Sequence, residues 1–226
     1  MTSVGADDLR LRPVVRESTA VMIADQVRDA IERGDLRPGA QLGEAELARQ
    51  LGVSRGPLRE GLQRLTQEGL LLSIRNRGLF VIEMTPDRVR DMYTARQAVE
   101  RAAAEQIHLA DPHEAGTELL TIADTMQEMV DADDATGMGE ADIAFHDLLV
   151  RLAGSPRLSR MHRTLLTETR MGIHALGPTY RGDDARVAEH REIAQSFVDR
   201  DPERTDRLLR LHMADAVTRL THGRNE

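Results

Sequence analysis

The apolar residues near the start of the chain recur at the spacing of an α-helix. A stripe at intervals of three and four residues predicts a helix over residues 20–31, and the segment "GDLRPG" ends it with two glycines and a proline. A second, shorter helix is predicted over residues 44–51, where Gly52 supplies the glycine that commonly follows a helix. The chain therefore begins with two helices joined by a glycine-rich connection.

A third helix and a hairpin complete this first region. Ser54 is a suitable N-cap, and Pro57 in the first turn costs little because the amide there has no partner within the helix. The segments "LLLSI" and "LFVIE" then flank "RNRG", a pattern typical of a β-hairpin around a polar turn. Helix, helix, tight turn, helix and hairpin is the element order of a winged helix-turn-helix, which predicts DNA binding.

The rest of the chain reads as helices only. Thr85 is a suitable N-cap and Pro86 a suitable first helical residue, which places the domain boundary there. Six helices are predicted, over approximately residues 86–109, 113–132, 136–153, 157–176, 184–199 and 202–221. The predicted fold is mainly α: a flexible tail over residues 1–16, a winged helix-turn-helix over 17–84 and an antiparallel six-helix bundle over 85–226.

Composition narrows the class of protein. With 226 residues, 40% of them hydrophobic and 30% charged, the sequence is typical of a folded globular protein. The absence of cysteine excludes disulfides and thiolate metal ligands. No apolar segment approaches the length of a signal peptide core or of a membrane span, which predicts a cytoplasmic protein without a membrane partner.

The net charge of -8 is unevenly distributed. Residues 1–84 hold 12 Arg and 12 acidic residues, whereas residues 85–226 hold 18 Arg and 26 acidic residues. Residues 49–81 contain six arginines and only two glutamates. This excess of positive charge predicts a local basic patch that could bind phosphates. Arg55 and Arg59 lie four apart at the start of the third helix, on a face without apolar residues.

The wing tip adds further polar residues, Arg75, Asn76 and Arg77. Taken alone, exposed arginines are usually only solvated. The order of elements favours DNA contact, because a helix-turn-helix places the start of its second helix in the major groove and a wing lies near the minor groove or the backbone.

Four polar residues fall within apolar stripes of the bundle. Asp142 and His146 lie four apart on a face with Phe145, and His190 and His212 lie among apolar residues of the fifth and sixth bundle helices. Unpaired buried charge is expensive, and a divalent metal would compensate it. Imidazole nitrogens with one carboxylate suit zinc, nickel, cobalt, iron or manganese, with zinc or nickel as the first candidates.

Other interpretations of these residues stay open. Each histidine could be a core residue bonded to a backbone carbonyl, and Asp142 with His146 could form a local pair. A metal there could be purely structural, or could activate water in an enzyme, although no general base lies on the same faces. The remaining histidines near helix ends or on polar faces are predicted to be solvated; they are His108, His113, His162 and His222.

The first region resembles the N-terminal domain of GntR-type bacterial transcription regulators. The resemblance covers residues 34–81 and rests on the PG turn, "ELARQLGVSRGPLREGLQRL", "EGL" and "NRG". It implies operator recognition, with Ser54, Arg55 and Arg59 in DNA-contacting positions and Gly78 in the wing. With the paired half-sites typical of such operators, the expected assembly is a homodimer.

The second region resembles the all-helical FCD effector domain attached to many of these regulators. The resemblance covers residues 86–221, through "MYTARQAVERAAA", "DIAFHDLLVRLAGSPRL" and "EHREIAQSFVDRDPERTDRLLRLHM", and six helices place it with the vanillate-regulator subgroup. It implies a metal site of three histidines and Asp142, whose open positions take water or a small carboxylate effector. Arg96 lies on the inward stripe of the first bundle helix, where it could hold that carboxylate or pair with a bundle acid. The predicted function is a ligand-responsive repressor rather than an enzyme.

Overall fold

The computed structural model describes residues 18–176 and 184–222 of the chain. The predicted tail over residues 1–16 and the side chain of His222 lie outside the described residues. The first region forms three helices and three short strands, in the order α1 (Thr19–Glu32), β1 (Gln41–Leu42), α2 (Glu44–Leu51), α3 (Arg55–Gln67), β2 (Leu71–Ile74) and β3 (Gly78–Val81).

The helices of this region begin and end where local chemistry predicts. Ser18 caps α1 by accepting a hydrogen bond from the Val21 amide. Gly52 ends α2 in the left-handed conformation, with φ at 64°, which permits the tight turn into α3. Ser54 occupies the N-cap position of α3 with extended backbone, but its side chain makes no capping hydrogen bond, so the predicted cap is only a backbone one.

The wing is a three-stranded antiparallel sheet in the order β1-β3-β2. Its hairpin turn needs positive φ at Asn76, at 62°, and at Gly78, at 101°. The sequence pattern missed β1, in which Gln41 pairs with Phe80 of β3. Two residues are too few for alternation to show, and β1 forms because the open edge of β3 offers unpaired backbone groups.

The second region is a bundle of six helices within the described residues: α4 (Pro86–His108), α5 (Pro112–Asp131), α6 (Ala135–Leu152), α7 (Pro156–Leu176), α8 (Asp184–Val198) and α9 (Pro202–His222). Each begins and ends within one residue of its predicted position. Helix α5 packs on α8 and α4 on α9. Gly116 permits the first contact, because a Cβ there would lie 2.7 Å from the Ala194 carbonyl oxygen.

The two regions share one hydrophobic core. Ile23 and Leu62 of the first region belong to the same buried cluster as Tyr93, Met171 and Leu220 of the bundle. A polar contact spans the same junction, where Arg170 Nη1 of α7 donates to Glu32 Oε2 of α1 at 2.6 Å. Among the described residues, none of the helices has the length and apolar character needed to cross a membrane.

Candidate metal centre and nucleic-acid interface

The start of α3 presents a polar, positively charged end to solvent. Ser54, Arg55 and Arg59 are exposed. The leucines on the opposite face of the helix are buried and fix its orientation. Arg59 Nε donates to Glu44 Oε2 at 2.8 Å, an exposed ion pair that links α3 to α2. This end of α3 therefore has the exposure that docking into a groove requires.

The predicted wing residues cluster at the tip of the hairpin. Arg75, Asn76, Arg77 and Gly78 are all exposed. The guanidinium of Arg77 lies 5.5 Å from the centre of the Phe80 ring, and Gln41 Nε2 donates to the Arg77 carbonyl at 2.6 Å. Both contacts hold Arg77 at the end of the turn, while the side chains of Arg75 and Asn76 are exposed.

The four residues predicted as metal ligands meet at one buried point of the bundle, and we call them the histidine cluster. Asp142 and His146 come from α6, His190 from α8 and His212 from α9, and all four are buried. One ligand atom from each lies within 4.8 Å of the other three. The Nε2 atoms of His146 and His212 are 3.1 Å apart, and His190 Nε2 lies 3.3 Å from Asp142 Oδ1.

The Nδ1 atom of every histidine in the cluster has an acceptor outside it. His146 Nδ1 lies 2.7 Å from Glu100 Oε2, and His212 Nδ1 lies 3.1 Å from Glu189 Oε2. His190 Nδ1 lies 2.8 Å from the carbonyl oxygen of Arg186. Carboxylates and carbonyls accept only, so each Nδ1 carries a proton and donates it.

Electrostatics favour neutral imidazoles at His146 and His212 and ionised carboxylates at Asp142 and Glu100. Burial lowers the pKa of His146 to about 3 and lowers that of His212. Burial opposes ionisation of Asp142, but its contacts with His190 and His146 outweigh burial and hold the pKa of that carboxyl well below its usual range. Burial likewise opposes ionisation of Glu100, and His146 and Arg96 overcome it to keep its pKa low.

These protonation states bring nitrogen lone pairs close together in the cluster. A neutral imidazole with its proton on Nδ1 has a lone pair on Nε2, so the 3.1 Å between His146 and His212 brings two lone pairs together. His190 Nε2 is buried and forms no well-aligned hydrogen bond among the described residues, although Asp142 Oδ1 lies 3.3 Å away. Three nitrogen donors and one carboxylate oxygen fit a small divalent cation, and the bonds to Nδ1 are the outer contacts that such ligands usually have.

Arg96 is buried beside the cluster rather than in it. Its Nε donates to Glu100 Oε1 at 2.7 Å, and its Nη1 lies 3.4 Å from the Tyr93 hydroxyl and 3.3 Å from Thr169 Oγ1. Its Nη2 is buried with no hydrogen-bond partner in the part of the chain that the structure describes. Arg96 thus pairs with a bundle acid, Glu100, as one of the two alternatives from the sequence predicts. One of its donors, Nη2, is not used in that pair.

Sequence reasoning missed two buried polar residues here. Glu100 is fully buried and accepts from His146, Arg96 and His162, the last at 3.0 Å. The prediction that His162 is solvated is wrong, because it is 1% exposed. The signal was present in both cases: Glu100 lies one turn after Arg96 on the inward stripe, and His162 lies one turn after Leu158.

The other histidines differ among themselves. His108 is half-buried, with Nε2 2.8 Å from Thr205 Oγ1 and its ring stacked on Phe197, so the prediction that it is solvated was also wrong. His113 is exposed as predicted, 3.3 Å from the carbonyl oxygen of Val198. Neither lies in the histidine cluster.

A small cavity adjoins the cluster. Its volume is about 10 Å³, and it is lined by Tyr93, Asp142, His212, Ala216, Arg219 and Leu220. This volume admits one water molecule at most. A larger ligand at Asp142 and His212 would have to displace part of the wall, which Arg219 shares with Tyr93, Ala216 and Leu220.

A winged helix with an exposed basic end, joined to a helical bundle with a buried polar centre, is the architecture of a transcription regulator with a separate helical domain. Residues 19–81 match the family described as "Bacterial regulatory proteins, gntR family", and residues 91–215 match the FCD domain. The chain belongs to the GntR family and carries an FCD domain. The family and its relatives are transcription regulators, so the enzyme alternative is excluded and the prediction of a regulator is confirmed.

The similarity extends over most of the chain. An uncharacterized HTH-type transcriptional regulator in an unstable DNA locus of Streptomyces ambofaciens is 31% identical over 194 residues, 83% of this chain and 79% of that protein. A gluconate operon transcriptional repressor of Bacillus licheniformis is 32% identical over 136 residues, 60% of this chain and 56% of that one. A solved GntR-type regulator from Rhodococcus sp. RHA1 is 30% identical with a TM-score of 0.74, covering 90% of this chain and 98% of its own.

Proposed function

We propose that this regulator is a homodimeric repressor whose operator affinity is set by a divalent metal and a small carboxylate effector. The domains meet between residues 84 and 85. The DNA-contacting residues are Ser54, Arg55, Arg59, Arg75, Asn76, Arg77 and Gly78. The metal ligands are Asp142, His146, His190 and His212, and the effector ligand is Arg96.

Operator contact is supported by the exposed end of α3 and by the exposed wing tip. Arg55 and Arg59 lie on the side of α3 away from its buried leucines, so both guanidinium groups reach outward together. Two such helices in a dimer match the two half-sites of a palindromic operator. Repression is supported by the similarity to the gluconate operon transcriptional repressor of Bacillus licheniformis.

The observation that carries the metal proposal is the convergence of three Nε2 lone pairs on one carboxylate. Each Nδ1 is engaged outside the cluster, so Nε2 is the atom left for a ligand bond. A bound divalent metal would supply Lewis acidity and positive charge. The donor set suits zinc or nickel.

The effector proposal is supported by charge balance. Each outer carboxylate has an arginine partner, Glu100 with Arg96 and Glu189 with Arg219. Asp142 Oδ1 faces His190 Nε2 at 3.3 Å and brings one negative charge to the centre of the cluster. A divalent cation reverses that charge to one positive, and a carboxylate restores neutrality. The unpartnered Nη2 of Arg96 is a donor suited to the same anion.

The shared core provides a route from effector to DNA. The cavity at Asp142 and His212 holds no more than a water molecule, so carboxylate entry must displace part of its wall, which Arg219 shares with Tyr93, Ala216 and Leu220. Tyr93, Ala216 and Leu220 belong to the core cluster that also contains residues of α1 and α3. Effector binding and operator binding are therefore linked through packing, and by reciprocity operator DNA changes effector affinity.

The first experiment is the metal content of protein purified without chelators, measured by mass spectrometry. We expect nearly one zinc or nickel per chain in the parent and in the control His113→Ala, and strong loss in Asp142→Ala and His190→Ala. A folded parent that stays free of metal after incubation with zinc or nickel contradicts the metal proposal and leaves DNA binding intact.

A thermal-shift screen of small carboxylates against metal-loaded and metal-free protein then tests the effector. We expect stabilisation by a carboxylate only in the metal-loaded form. The competing interpretation is a purely structural metal. It predicts that metal raises the melting temperature but that no carboxylate adds stabilisation that requires the metal.

A further inference from the structure

We propose that Glu100 is the positioning residue of the metal site: its carboxylate holds His146 in the tautomer that presents Nε2 to the metal and, through its other oxygen, fixes Arg96. This inference rests on the proposed metal site. Glu100 is not one of the four proposed ligands, and nothing in the sequence pattern of those ligands points to it.

The carboxylate of Glu100 is shared among three side chains of three helices. Oε2 accepts from His146 Nδ1 of α6 at 2.7 Å. Oε1 accepts from Arg96 Nε of α4 at 2.7 Å and from His162 Nε2 of α7 at 3.0 Å. Its side chain is 0% exposed, so no water competes for these bonds. The three contacts fix both oxygens in position.

The bond to His146 decides between two arrangements of the cluster. A neutral imidazole can carry its proton on either nitrogen. With the proton on Nε2, His146 would donate to His212 Nε2 at 3.1 Å and would close the cluster to a metal. A carboxylate at Nδ1 accepts only, so it stabilises the Nδ1 proton and leaves the Nε2 lone pair open.

The same sharing explains the free donor of Arg96. A carboxylate that binds a guanidinium with both oxygens occupies two of its donors. Oε2 of Glu100 instead accepts from His146, so Glu100 binds only the Nε of Arg96. Nη2 of Arg96 is left buried without a partner among the described residues. One carboxylate thereby links the orientation of a metal ligand to that of the effector ligand.

The test compares Glu100→Gln, which keeps the shape but loses the charge, with Glu105→Gln, an exposed position on the same helix. Zinc affinity is measured by competition with a chromophoric chelator. We expect affinity about 10- to 100-fold weaker in Glu100→Gln and unchanged in Glu105→Gln. A Glu100→Gln protein with the zinc affinity of the parent overturns the proposal.

The second readout is the tautomer of His146 in metal-free protein, from the side-chain ¹⁵N shifts. We expect the Nδ1-protonated form in the parent and a substantial Nε2-protonated population in Glu100→Gln, a change that a merely structural role would not produce. Identical shifts in both proteins overturn the proposal. A parent that binds no zinc overturns the proposed function instead, and the ¹⁵N shifts then decide the role of Glu100 on their own.

Loss of Glu100 leaves Arg96 buried without its carboxylate, which could prevent folding. The double variant Arg96→Gln with Glu100→Gln removes both charges together. We expect it to show the same weakening of zinc affinity and the same change of tautomer. Parent-like values in the double variant overturn the proposal as well.

Discussion

Glu168 of α7 carries a carboxyl that the proposed function does not use. Burial raises its pKa from 4.5 to about 7, while Arg88 of α4 lowers it and Asp91 of α4 raises it. A carboxyl with a raised pKa in the folded state binds more protons there than in the unfolded state. The free energy of unfolding therefore falls as the pH rises from about 4.5 to 7 and stays low above that.

Glu168→Gln is neutral at every pH and removes this dependence. At pH 8 we expect the variant to raise the free energy of unfolding by about 1 kcal/mol, a small value because the side chain is only half-buried. At pH 4.5 we expect parent and variant to have nearly the same free energy of unfolding. Urea unfolding at the two pH values measures the difference. Glu128→Gln, an exposed position on α5, is the control. Parallel pH profiles of parent and Glu168→Gln would contradict the assignment.

At the residue scale, the spacing of residues along one helix predicts which side chains point inward. The sequence does not predict which of them meet between helices. Asp142 and His146 lie four residues apart with Phe145 between them, and this spacing alone predicts that both lie on an inward face of the helix. Glu100 lies 46 positions from His146 and 62 from His162, so its partners are fixed only when three helices pack. The inward position of Glu100 was visible in the sequence, but its role was not.

At the element scale, α3 carries the proposed contacts to DNA. Arg55 and Arg59 are exposed, and their removal leaves the buried leucines of the helix unchanged. We expect Arg55→Ala with Arg59→Ala to lower operator affinity at least tenfold and to reduce the slope of log affinity against log salt by about two, since two phosphate-neutralising groups are lost. Thermal stability should change little, because the one ion pair lost, with Glu44, is exposed.

The measurement is a gel-shift titration on an operator selected from random DNA by the parent protein. Arg151→Ala with Arg210→Ala, two exposed arginines of the bundle, is the control for loss of charge alone. Parent-like affinity in the α3 variant would exclude this helix as the recognition element.

Elements whose own residues determine their structure could be predicted from the sequence. Elements that form only by pairing with another element could not. The helices follow from apolar stripes, caps and glycines, each a property of adjacent residues. Strand β1 exists only through its pairing with β3, and it has two residues, Gln41 and Leu42. The side chain of Ser54 matches a cap by residue type, yet it makes no capping bond.

At the scale of the whole molecule, the junction between the domains was not predictable from either domain. Each domain has its own periodic pattern, and nothing in those patterns states which faces meet. The structure joins them through a common core and through Arg170, which binds Glu32 of α1 and Glu140 of α6. Glu140 lies two residues before Asp142, so this arginine connects the helix of Asp142 and His146 to the DNA-binding domain.

Arg170 is expected to transmit effector binding as well as to hold the junction. Its Nη1 donates to Glu32 at 2.6 Å, and its Nε and Nη2 donate to Glu140 at 3.0 and 2.8 Å, so a shift of α6 is passed to α1 through one rigid group. Coupling free energies between sites are typically about 1–3 kcal/mol. We expect Arg170→Gln to keep the metal and to reduce the effect of the carboxylate on operator affinity by about fivefold or more.

The coupling is measured as the ratio of operator Kd values with and without the best carboxylate from the screen, in metal-loaded protein. Arg163→Gln, an exposed position on the same helix, should keep the ratio of the parent. An unchanged ratio in Arg170→Gln would assign the coupling to the apolar wall of Tyr93, Ala216 and Leu220 alone. A reduced ratio with unchanged metal content would mean that the charged contact carries part of the signal, because the apolar wall is the same in both proteins.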